Sequence, residues 1–151
     1  ESAIDSMSRL SRHASHLAVR LRLHAGTDVT GFGLAGHLWE MVQRSSVSAT
    51  LDASALPLLP GAQESVALGI HTTGEAQNRD WLTGHVSIDA DIPDNVSALA
   101  FDPQTSGGLL LGCSARKAKA LETAFAKDRE PLWLIGRVSA GEPHIALNAQ
   151  R

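Results

Sequence analysis

The chain has 151 residues, 43% of them hydrophobic and 19% charged, which suits one packed domain and excludes the low-hydrophobicity, high-charge pattern of a disordered chain. Its formal net charge of −3, with lysines and arginines scattered, lacks the basic footprint of a nucleic-acid binder. A lone cysteine, Cys113, excludes an internal disulfide, and no apolar run approaches the roughly 20 residues of a membrane helix, so a cytoplasmic protein is expected.

The chain opens at Glu1 without an initiator Met and reads as a piece of a longer polypeptide. Ile4, Met7, Leu10, Ala14, Leu17 and Leu21 recur every three or four positions behind the cap spacing Ser2-x-x-Asp5, which predicts one amphipathic helix. Gly26-Thr27-Asp28-Val29-Thr30-Gly31-Phe32-Gly33 reads as a loop with special backbone needs, and it runs into a helix marked by Leu34, Leu38, Met41 and Val42 and ending near Ser45. Alternation of Val47, Ala49 and Leu51 with polar residues predicts a half-buried strand. Short helices are expected over 61–70 and 75–82, with Gly74 between them as punctuation, then a strand over 85–88 and a short helix over 94–100.

Leu109-Leu110-Leu111 predicts a buried strand. Ala118, Leu121, Ala124 and Phe125 give the next helix its apolar stripe, with Ser114 as cap and an end near Lys127. Leu132-Trp133-Leu134-Ile135 predicts a second buried strand, and the stretch from Val138 to Leu147 a closing hairpin around Ala140-Gly141-Glu142. Intermixed strands and helices without a repeat point to an α/β (α+β) domain, a layered mixed β-sheet covered by helices.

Two loops carry the chemistry. In Thr27-Asp28-Val29-Thr30-Gly31-Phe32-Gly33, glycines let backbone approach a ligand, threonine hydroxyls add donors, and the following helix offers its amino terminus to phosphate. Asp28 would repel a bare phosphate, but it suits a bridging Mg²⁺, which takes one or two protein carboxylates and completes its shell with water and phosphate oxygens. A plain helix cap by Asp28 or Thr30 fits these residues equally well. In Asp102-Pro103-Gln104-Thr105-Ser106-Gly107-Gly108, three hydrogen-bonding side chains lie between a proline and a glycine pair at the edge of a strand. An ordinary turn whose polar groups bond their own backbone is the simpler reading of that stretch taken alone.

Together the two loops, Thr27 to Leu34 and Asp102 to Leu110, resemble the signature stretches of selenophosphate synthetases. Further likeness lies in Gly36-His37-Leu38, Glu40-Met41, Leu56-Pro57-Leu58-Leu59-Pro60-Gly61-Ala62, Gly74 and Asn78. The resemblance covers most of the chain from Ala25 onward and concerns the carboxy-terminal domain, the one shared with aminoimidazole ribonucleotide synthetases, hydrogenase-maturation proteins and thiamine-monophosphate kinases. It implies an aminoimidazole ribonucleotide synthetase C-terminal-domain-like fold over 1–151. The implied activity makes selenophosphate, AMP and orthophosphate from selenide, ATP and water, with Mg²⁺ and a monovalent cation such as K⁺, in a homodimer. Asp28 is the implied metal ligand, with Thr27, Thr30, Gly31, Gln104, Thr105 and Ser106 around the nucleotide.

The family's remaining metal carboxylates, glycine-rich nucleotide segment and catalytic cysteine or selenocysteine with its lysine belong to an amino-terminal domain, so this chain alone is expected to be inactive. Where the family usually shows Gly-Thr, then Asn and a tyrosine, this chain has Gly74-Glu75, Asn78 and Trp81, and Glu75 is no phosphate donor. Two other readings stay open: a domain of another ATP-dependent synthetase of the same superfamily, and a non-catalytic regulatory or interaction module.

The remaining chemistry-bearing residues have plainer expected roles. Cys113 reads as a buried small hydrophobe, and His37 as a packed or surface histidine within reach of the first loop. The other histidines, His13 and His16 included, form no zinc site. Trp39, Trp81 and Trp133 are expected to be buried.

Overall fold

A computed structural model describes residues 2–149. In chain order the elements are α1 (Ser2–Ser8), α2 (Arg12–Arg20), β1 (Ala25–Asp28), α3 (Gly33–Ser45), β2 (Val47–Asp52), α4 (Ala62–Ala67), α5 (Thr73–Trp81), β3 (Val86–Ile88), α6 (Asp94–Ser97), β4 (Leu109–Gly112), α7 (Ala115–Lys127), β5 (Gly136–Ala140) and β6 (His144–Asn148). Single 3₁₀ turns follow β2, at Ala53–Ala55, and α6, at Ala98–Ala100.

Four strands form one mixed sheet in the order β3-β6-β2-β5, with β6 parallel to β3 and β2, and β5 antiparallel to β2. Ala49 and Leu51 of β2 and Ile145 and Leu147 of β6 point to the buried face, where α3 covers them with Leu38, Trp39 and Val42. Each fully buried leucine, isoleucine or valine side chain among them contributes about 1.5–3 kcal/mol. Helix α3 stops where Ser46 turns left-handed, with φ of 51°, and its N–H returns to the last turn. Beneath the helices α2 and α7, Leu17, Leu121 and Phe125 form a second, smaller core. An apolar groove of about 740 Å³ separates the two cores.

Helix α3, strand β2, helix α7 and the short elements α4, α5, β3 and α6 fall where the periodicity places them. Gly74 lies inside α5 and does not separate it from its neighbour. The predicted opening helix is broken at residues 9–11. α1 buries none of its residues, and Ile4, Met7 and Leu10 are exposed, so no packing holds the junction helical.

The predicted glycine loop begins as a strand. β1 pairs antiparallel with β4, with Thr27 opposite Leu110 and Asp28 opposite Leu109, in a separate two-stranded sheet. β4 is a strand as expected, but only Leu110, which joins the larger core, is buried; Leu111, on the opposite face, is half-buried against the smaller core of α2 and α7. Residues 131–135 form no strand. Trp133 and Leu134 are 55% and 60% exposed, and the neighbour place on β2 belongs to β5, which begins at Gly136. Nor do β5 and β6 make a hairpin: β2 lies between them and pairs with both, while the short link after Ala140 passes over Ser48, whose hydroxyl donates to the Glu142 carbonyl at 2.6 Å.

Candidate functional site

The two loops singled out in the sequence meet and interlock. Val29 N–H donates to the Gly108 carbonyl at 3.0 Å and Gly107 N–H to the Val29 carbonyl at 2.9 Å, which extends the β1–β4 ladder past its last pair. The Thr30 carbonyl accepts from both Gly33 N–H and Gln104 N–H, each at 3.0 Å. Asn78, buried on α5, donates its amide to the Gly31 carbonyl at 3.0 Å and to the Phe101 carbonyl at 2.8 Å, so one side chain ties the first loop to the second.

Backbones approach so closely here that side chains are shut out. Gly33 has φ of 67°, and a Cβ there would lie 2.8 Å from the Phe101 carbonyl. A Cβ on Gly74 would lie 2.3 Å from Pro103. Gly33 and Gly74 therefore serve close packing at the junction.

Around this junction the candidate residues divide by what they are free to do. Asp28 is exposed at the end of β1, and its carboxylate has no hydrogen bond or ion pair among the described residues. Neither Asp28 nor Thr30 caps α3: Phe32 occupies the cap position and no side chain bonds the first turn, so the plain capping explanation does not hold. The Thr27 hydroxyl donates to the Asp28 carbonyl at 3.1 Å, which is a local backbone role. Gly31 faces open space, with nothing within 4 Å of where a Cβ would stand.

In the second loop, the Gln104 amide donates to the Asp102 carbonyl and to its carboxylate, both at 3.2 Å, so it stabilises its own turn. Thr105 is exposed and Ser106 half-buried, and neither hydroxyl is bonded among the described residues. Asp102 also accepts from the Thr72 hydroxyl at 2.8 Å, on the rim of a cavity of about 210 Å³ that His71 and Glu75 share. Glu75 is buried between Arg79 Nε, at 3.0 Å, and His71 Nδ1, at 3.3 Å. It holds α5 together, and Arg79 in turn lies over the Phe101 ring, 4.9 Å from its centroid.

His37 is buried, as a packed histidine should be, and it also reaches the loop: Nε2 is 3.0 Å from the Thr30 hydroxyl oxygen. Nδ1 lies 3.4 Å from Glu40 Oε2 without hydrogen-bond alignment and is otherwise orphaned. Leaving such an atom unpaired costs about 1–3 kcal/mol. The residue pattern signalled none of the ties made by Asn78, Thr72 and Asp102, because each depends on a partner far away in sequence.

Three expectations of burial are overturned, for Cys113, Trp81 and Trp133. Cys113 is exposed, since the chain leaves the ribbon after Gly112. Trp81 and Trp133 are 45% and 55% exposed, whereas Trp39 is buried and stacks on His85 with centroids 4.1 Å apart. Trp81 instead packs its ring against Phe32, at 5.2 Å, beside Gly36, where there is no Cβ to keep them apart. His13 pairs with Asp128 at 3.0 Å, and no group of three or more His, Cys, Asp or Glu residues that could hold a metal exists among the described residues. No helix among them is long and apolar enough to cross a membrane.

Comparison with known proteins shows the family of the chain. The family model described as "AIR synthase related protein, C-terminal domain" matches residues 5–147. A selenide, water dikinase of Nitratidesulfovibrio vulgaris (strain DSM 19637 / Miyazaki F) is 41% identical over 87% of this chain and 37% of its own length. Another, of Rhizobium meliloti (strain 1021), is 39% identical over 96% of this chain and 42% of its own. The chain thus spans about two-fifths of the length of these relatives. A thiamine-monophosphate kinase from Stenotrophomonas maltophilia K279a superposes with a TM-score of 0.54 at 23% identity, over 88% of this chain and 34% of that one, which shows the α/β fold. The chain belongs to the family of AIR synthase related protein C-terminal domains.

Proposed function

We propose that this chain is the carboxy-terminal domain of a selenophosphate synthetase, the cytoplasmic, homodimeric enzyme that makes selenophosphate, AMP and orthophosphate from selenide, ATP and water. The relatives named selenide, water dikinase support that reading. The observation that carries it is the Asp28 carboxylate, exposed and unpartnered among the described residues at the edge of a junction where every neighbouring loop is fastened.

One carboxylate suits Mg²⁺, an ion that needs few protein ligands. When bound, it would neutralise phosphate charge during phosphoryl transfer. Asp28 would be its ligand from this domain, Thr30 and Gly31 would line the same lip, and Thr105 and Ser106 would present hydroxyls from the second loop. Thr27 and Gln104 would contribute by holding loop shape. The nucleotide-binding segment, the catalytic cysteine or selenocysteine and the remaining metal carboxylates would come from an amino-terminal domain, with K⁺ as the accompanying monovalent cation. Half of such a site positions nothing, so the isolated chain is expected to be inactive.

In the full-length parent, Asp28→Asn is expected to lower selenide-dependent AMP formation at least about a hundredfold, equivalent to about 2.7 kcal/mol of transition-state stabilisation. Near-normal activity would remove Asp28 from the metal site. Selenide compared with amide or ribonucleotide substrates in the same assay separates this reading from other synthetases of the superfamily.

A further inference from the structure

Thr30 is held from three sides. Two backbone N–H groups fix its carbonyl, and His37 reaches back from the second turn of α3 to its hydroxyl. The His37 side chain is 9% exposed. Packing does not account for a histidine here, because an apolar residue would fill the same space without stranding the buried Nδ1.

A neutral imidazole carries one donor and one acceptor, and the charge around the ring decides which nitrogen is which. The charge beside Nδ1 is the Glu40 carboxylate, 3.4 Å away, which favours a proton on the nitrogen that faces it. Nε2 is then the acceptor.

We propose that His37 is a positioning residue for the first loop: with its proton on Nδ1, it accepts the Thr30 hydroxyl proton at Nε2 and turns the Thr30 oxygen outward as an acceptor. The ligand that Thr30 meets is therefore a cation or a metal-bound water, and not a phosphate oxygen, which offers no proton. This reverses the donor role expected of the threonine from sequence. It rests on reading the junction as a Mg²⁺-nucleotide site, and Asp28, two residues earlier, supplies the matching negative charge.

The full-length parent enzyme labelled with ¹⁵N-histidine tests this, with the His37 signals assigned by their loss in His37→Phe or, should that variant fail to fold, in His37→Gln. The expected result is a neutral ring protonated at Nδ1 with an unprotonated Nε2. A proton on Nε2, or on both nitrogens, overturns the proposal. In Mg²⁺-ATP kinetics, His37→Phe and Thr30→Val should each raise KM about tenfold, the loss of one hydrogen bond, with kcat within about threefold.

The double variant should be no worse than either single one, and His37→Gln, whose amide oxygen stands where Nε2 does, should recover most of the loss. Additive losses, or no recovery by glutamine, would assign His37 to packing alone. If the unmodified parent forms no AMP or ADP from ATP with selenide, amide or ribonucleotide substrates, the Mg²⁺-nucleotide reading falls while the nitrogen resonances still decide the hydrogen-bond direction.

Discussion

The loop junction and the α1–α2 segment hold their chains by opposite means. At the junction, backbone meets backbone through the Val29, Thr30, Gln104 and Gly107 hydrogen bonds, and Gly33 and Gly74 remove the side chains that would keep the loops apart. By contrast, α1 buries nothing, and the chain around the start of α2 is tied to the chain just past α7 by the surface pairs Arg9–Glu130 and His13–Asp128. Contacts of the first kind admit one geometry, because a methyl group of misfit meets the Phe101 main chain at Gly33 or the rigid Pro103 ring at Gly74, neither of which can easily step aside. Contacts of the second kind rearrange in water at little cost.

Gly33→Ala should break the contrast most visibly. It combines a left-handed backbone with a Cβ against the Phe101 carbonyl, and a loss of about 3 kcal/mol in urea unfolding is expected; a loss below about 0.5 kcal/mol would show that the junction yields. Asn78→Ala comes next, since it leaves the Gly31 and Phe101 carbonyls without their donor, and about 2 kcal/mol should be lost in the same measurement. Arg9→Ala and His13→Ala should each cost less than about 1 kcal/mol, and raising the salt concentration should erase the difference. Asp28→Asn sharpens the comparison from the other side. The exposed, unpartnered carboxylate should leave stability within about 0.5 kcal/mol of the original while activity of the full-length parent collapses.

Much of this molecule is legible in residue order wherever a single element answers to its own periodicity, as α3, β2 and α7 do. Legibility fails where a partner decides. Gly26 and Asp28 have poor strand preference, yet β4 makes a strand of them; Leu132 to Leu134 have good preference, yet no strand pairs with them. Asp28 and Thr30 were visible as candidates because their residue types carry chemistry. The interlock that presents them was not, because Thr30 and Gln104 are joined only in space. Nor could spacing alone show that Thr27 and Gln104 spend their polar groups locally.

The placement of β2 between β5 and β6 has a consequence for how the domain is born. Residues 47–52 find both sheet neighbours only among residues 136–148, so the central sheet cannot zip up locally, and its seam waits for about ninety further residues to leave the ribosome. Such wide separation makes for slow closure. Until then β2 offers two bare edges, which makes nascent chains of this domain natural clients for whatever shields unpaired strands in the cell.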